Sequence, residues 1–131
     1  MAEHGEPGFK AEPWYYHGGD YINYKMANEA AVANWIDKWL TIYESEVDGR
    51  PIGFLITNVH SIIRKFGLLT FTMPWKGNAE NEKDVSISRL LLAAYEEGPP
   101  VIGRRNAYAV AMEFPMAKWS IPASELQRRG Q

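Results

Sequence analysis

Three histidines, His4, His17 and His60, are the first residues to examine for chemistry. No two of them stand at the H-x-x-x-H spacing that sets two imidazoles on one helix face around a metal ion. His17 precedes Gly18-Gly19-Asp20. An acid–base pair with Asp20 is one reading of that segment; a plain turn that happens to carry both residues is the simpler one. His60 adjoins Ser61, but adjacency in sequence does not give a nucleophile and its base the geometry for proton transfer. The chain has no cysteine, which removes thiol nucleophiles, Cys-ligated zinc and iron–sulfur clusters.

The phosphate-binding signatures G-x-x-x-x-G-K-[ST] and G-x-G-x-x-G are both missing. Gly98-Pro99-Pro100-Val101-Ile102-Gly103 has glycines at both ends, but its prolines lack the amide donors that a phosphate cradle requires. Arg104 and Arg105 follow directly and are the candidate anion contacts; the competing reading is a solvated turn. Two acidic groups, Glu44-Ser45-Glu46 with Asp48 and Glu80-Glu82-Asp84, are rich enough in oxygen to attract a hard cation. The second lacks the internal glycine and closing glutamate of a calcium loop and contains Lys83, so both read as solvated surface. No catalytic, metal-binding or cofactor-binding residues are assigned.

Five tryptophans occur in 131 residues. Trp35 and Trp39 fit a helical face, as set out below. Trp14, Trp75 and Trp119 fit neither a helical nor a strand pattern, and each lies beside or near a proline. Large rings on rigid, proline-braced segments are frequent anchors of protein interfaces. These three, with Phe9 in the N-terminal segment, are the candidate interface residues.

The elements that must position these groups follow from periodicity. Residues 1–13 hold glycines and prolines around a lone Phe9 and read as a flexible arm. Residues 14–24 carry aromatics around Gly18-Gly19-Asp20, which suits either a hairpin or an extended clamp. In residues 28–46, Val32, Trp35, Ile36, Trp39, Leu40 and Tyr43 recur at i, i+3, i+4 spacing. With Asn28 as cap and Asp48-Gly49-Arg50-Pro51 as terminator, this predicts the main core helix. Strands are predicted over 52–57 and 68–73, a short helix over Val59–Phe66 ending at Gly67, and a helix over 85–97 stopped by Gly98-Pro99-Pro100. Residues 106–114 alternate large and small side chains and predict a strand, and Ser124–Arg129 can form one helical turn.

The fold expected is α+β (or α/β): a small two-layer sandwich, a sheet of 3–4 strands covered by two amphipathic helices, with an extended N-terminal arm. One domain spans residues 14–131. A chain of this length buries enough surface to fold without disulfides or metal. Its 46% hydrophobic and 23% charged residues are ordinary globular values.

Net charge is −2, but the last 31 residues reverse the balance. There Arg104, Arg105, Lys118, Arg128 and Arg129 face only Glu113 and Glu125. Five dispersed cations make no dense basic patch, which argues against nucleic acid as the main partner. The longest stretch without a charge, Pro51 to Ile63, is too short to span a bilayer. The acidic N-terminus is unlike a signal peptide, and the expected location is cytoplasmic.

The function expected is that of a non-enzymatic structural or accessory subunit of a larger assembly, with other protein chains as partners in a homo- or hetero-oligomer and no cofactor. The alternative is a small enzyme or ligand-binding domain. Its pocket would lie near the 74–84 loop, with His17, His60 and Arg104 as polar groups. A third reading is a weak nucleic-acid binder acting through the C-terminal cations.

Overall fold

The computed structural model describes residues 11–67, 71–74, 83–114 and 120–127. Its centre is a five-stranded antiparallel sheet in the order β1-β2-β5-β4-β3. The strands are β1 (Trp14–Tyr16), β2 (Tyr21–Lys25), β3 (Ala31–Trp35), β4 (Leu40–Ser45) and β5 (Pro51–Thr57). Helix α1 (Val59–Phe66) follows, and then strands β6 (Thr72–Pro74) and β7 (Lys83–Ser86). Helices α2 (Ile87–Glu96) and α3 (Ile102–Glu113) come next, with β8 (Ser120–Pro122) and a short α4 (Ala123–Gln127) closing the described chain. Strands β6, β7 and β8 form a second, three-stranded antiparallel sheet. The α+β class holds. The count does not: the main sheet has five strands, and the described residues form three helices of at least eight residues, against the expected 3–4 strands and two helices.

The predicted helix over 28–46 is a hairpin, β3–turn–β4. Two physical causes outweigh the helical periodicity. The segment is rich in β-branched and aromatic residues, which pack well on a pleated surface. Asp37 also acts as a turn-former: its Oδ1 accepts the amides of Trp39 and Leu40, both at 2.8 Å. Such a side-chain turn offers the backbone an alternative to the helix. The supposed apolar face is split as a result. Leu40 and Ile42 are buried, whereas Val32 and Trp35 are exposed.

The predicted strand over 106–114 is instead the larger part of α3. Its alternation was one of size among apolar residues, and the small members are alanines, the best helix formers. Arg104, Tyr108 and Ala111 are its buried residues, at helical spacing. Of the two readings of 14–24, the hairpin is the one formed. The strand over 52–57, α1 with Gly67 beyond it at φ 87°, and the helix within 85–97 are found as expected. Of the strand predicted over 68–73, residues 68–70 lie outside the described residues, and the strand present is Thr72–Pro74. The last turn forms over Ala123–Gln127.

Directly paired residues share a face of a sheet. One face carries Tyr15, Ile22, Tyr24, Phe54, Ile56, Leu40 and Ile42, all buried in one cluster with residues of α1, α2 and α3. Phe114 at the end of α3 meets Tyr24 and Phe54 with ring centroids 5.8 Å apart. The opposite, outer face is built from the alternate residues. Gly53 stands there at the register shift between β4 and β5, where an added Cβ would come within 2.1 Å of the Tyr24 carbonyl oxygen. Only glycine permits that backbone approach.

Candidate protein-interaction surface

The outer face of the main sheet gathers aromatic residues from four strands. Register places Trp14 opposite Asn23 and Tyr16 opposite Tyr21 at one edge. It places Tyr43 opposite Ala33, and Trp35 opposite Thr41, at the other. Trp14, Tyr16 and Tyr21 form a ring cluster with centroid separations of 5.3–6.3 Å. Tyr43 lies beside the side-chain-less Gly53; its hydroxyl donates to Asn23 Oδ1 at 2.7 Å, and Lys25 Nζ sits 5.4 Å from its ring centre. Trp14 is 41% exposed, Tyr16 49% and Trp35 69%. Among the described residues, the buried cluster lies wholly on the other face.

The expected interface residues divide accordingly. Trp14 lies on this surface. Phe9, Trp75 and Trp119 lie outside the described residues. Trp35 was assigned to a helical core and is instead the most exposed of the aromatics on this face. The missed members, Tyr16, Tyr21 and Tyr43, carried a signal in the sequence. They alternate with Tyr15, Ile22 and Ile42, and period-two reading of both hairpins places them together.

The polar candidates fall into two clusters with separate partners. His60 belongs with Asp20 and Tyr15: His60 Nδ1 lies 2.9 Å from Asp20 Oδ1, and the Tyr15 hydroxyl donates to the same oxygen at 2.7 Å. The His60 amide also donates to the Asp20 carboxylate, at 3.2 Å to each oxygen. Asp20, held at φ 58°, thus caps α1 from forty residues away and sets an anion at the positive end of the helix. The sequence had offered His17 as its partner; the partner is His60.

Arg104 forms the second cluster and is 7% exposed. Its Nε donates to Asp37 Oδ2 at 2.8 Å, and its two terminal nitrogens donate to the carbonyls of Ala94, Tyr95 and Pro99. The guanidinium carbon stands 4.9 Å from the ring centres of both Tyr95 and Tyr108. The Tyr108 hydroxyl donates to Asp37 Oδ2 at 2.9 Å. Burial pushes that hydroxyl well above its ordinary pKa of 10.0, and the adjacent Asp37 carboxylate adds to the shift. Arg104 is therefore a clasp that fastens the α2–α3 connection to the β3–β4 turn, with its charge already matched by Asp37. Gly98 leaves room for it: a Cβ there would meet the guanidinium carbon at 2.7 Å. Arg105, the other candidate anion contact, is exposed on the next position of α3.

An open cleft of about 690 Å³ lies over this clasp, lined by residues 35–39 and by residues of the 97–104 connection, including Pro99 and Val101. The pocket of the alternative reading was expected near residues 74–84; of these, 75–82 lie outside the described residues. Among the described residues no group of three His, Asp or Glu side chains is placed to hold a metal ion. No helix there is long and apolar enough to cross a membrane. Compared with known proteins, the chain matches no family model, no curated protein and no solved structure.

Proposed function

We propose that this chain is a non-enzymatic accessory subunit that docks another protein on the aromatic outer face of its main sheet. The observation that carries the reading is the set Trp14, Tyr16, Tyr21, Tyr43 and Trp35 on one face, opposite the helices. Tryptophan and tyrosine bring large apolar area with few rotors, which is why they dominate interface hot spots. Between them lie the half-buried Asn23 and Leu55, a mixture of polar and apolar groups suited to a protein surface. Lys25 is the one cation among the described residues of the face, and it stacks on Tyr43. A nucleic-acid partner would need several cations to offset its phosphates.

A stoichiometric partner should co-purify with the full chain from its native source and be lost with the Trp14→Lys, Tyr16→Lys double variant. Circular dichroism and melting should show the variant folded. Purification of the wild type alone, or retention of the partner by the folded variant, would overturn the reading. The ligand-binding alternative rests on the cleft above Arg104, and retention of a small molecule with Trp35 and Lys38 in contact would favour it instead.

A further inference from the structure

We infer that β3 is an open pairing edge through which two copies of this chain join into one continuous ten-stranded sheet. Strand β3 ends the sheet order and pairs only with β4 among the described residues. Natural edges are blunted by charge, proline, bulges or brevity. Strand β1, the opposite edge, is three residues long and preceded by Pro13. Strand β3 is Ala31-Val32-Ala33-Asn34-Trp35, with no charge and no proline, and four of its five residues are exposed.

The hydrogen-bond phase of the edge fixes the register in which a second copy pairs. Ile36 donates its amide to the Leu40 carbonyl, and Glu46 donates to the Ala30 carbonyl. Antiparallel ladders alternate, so the even-numbered residues of this strand bond inward to β4. The amides and carbonyls of Ala31, Ala33 and Trp35 then point outward, and no described residue bonds them. A two-fold axis through Ala33 sets Ala33 against its own copy and Ala31 against Trp35. All three outward residues of each strand then fall at hydrogen-bonded positions, giving about six interchain bonds. No other symmetric register uses every outward group.

The side chains agree with that register. On the outer face each Trp35 ring faces the small Ala31 of the other copy, beside Ala33. The strand brings no like charges together on the axis. A strand from a different protein could use the same backbone groups, but it would not explain why one strand satisfies both sides of the pairing.

The test uses the full chain. Light scattering after size exclusion should show the mass rising from 14.9 kDa toward twice that value as concentration rises into the hundreds of micromolar. Ala33→Pro should stay monomeric. Its lost amide points outward, so no bond to β4 is removed. Ala33→Lys provides the same test if the proline variant fails to fold. The chain has no cysteine, so Ala33→Cys gives a single thiol on the axis that should oxidise readily to a linked dimer. Val47→Cys, on the exposed β4–β5 turn, should not. A wild type that remains at monomer mass, or a dimer that survives both Ala33 variants, would overturn the inference. The Trp14→Lys, Tyr16→Lys variant should dimerise like wild type, which separates this edge from the docking face proposed above.

Discussion

Trp35 stands on the outer face of an edge strand with 69% of its surface in solvent, and its contribution to folding should match. A tryptophan in a packed core costs about 3–5 kcal/mol when cut to alanine. Exposed positions away from caps and buried networks fall within about 0.5 kcal/mol. Trp35→Ala should therefore melt within a few degrees of wild type when measured on dilute, monomeric chain. A loss as large as a core tryptophan's would place the ring under cover. The sequence offered no means to see this, because Val32, Trp35, Ile36 and Trp39 satisfy helical spacing whether or not a helix forms. What distinguishes the two outcomes is Asp37. In a helix its carboxylate would face solvent or the next turn, whereas here it closes a turn onto the Trp39 and Leu40 amides.

At the scale of elements, the Asp37–Arg104 pair joins three parts of the chain: the β3–β4 turn, the C-terminal end of α2 and the first turn of α3. A buried charge whose partner is removed costs about 3–5 kcal/mol, since it is left desolvated and uncompensated. Arg104→Ala and Asp37→Ala should each lower stability by about that amount in denaturant titrations. The double variant should cost less than the sum, because the two side chains share one interaction. Arg104→Lys should rescue little. Lysine keeps the charge but cannot present the planar fork that reaches Asp37 and three carbonyls at once. A lysine variant as stable as wild type would reduce the clasp to a simple charge contact.

For the molecule as a whole, Tyr108 links global stability to pH at the alkaline end. Its folded-state pKa is raised, chiefly by burial and then by the Asp37 carboxylate. The unfolded chain loses this proton near the ordinary value of 10.0, while the folded chain retains it. The stability that Tyr108 contributes is thus intact below that pH and declines as pH rises above it. Tyr24, buried against Phe54, is shifted in the same direction. Tyr108→Phe should flatten the fall of the unfolding free energy between neutral pH and pH values above 10, relative to wild type. An unchanged alkaline limb would mean that Tyr108 ionises as freely in the folded protein as in the unfolded one.

Where local chemistry and tertiary need agree, the sequence alone determined the outcome. Gly67 at positive φ beyond α1, Gly98-Pro99-Pro100 after α2 and the β-branched run of β5 each impose a backbone geometry that few alternatives satisfy. So too for the α+β class, which follows from having both periods in one short chain. The number of strands was settled only in three dimensions. The 28–46 segment scores as a helix on spacing, and becomes a hairpin because β4 completes the sheet between β3 and β5 and buries Leu40 and Ile42 against the helices. Residues 106–114 score as a strand on alternation, and most of them become helix because Arg104, Tyr108 and Ala111 must face the same core. The outer aromatic face was legible only in part. Tyr16, Tyr21, Trp35 and Tyr43 lie up to 27 residues apart along the chain, and strand register alone brings them to one surface. Nor could the sequence pair Asp20 with His60 or Asp37 with Arg104. Partners separated by 40 and 67 residues meet because closing the sheet and laying the helices across it brings them within hydrogen-bond distance.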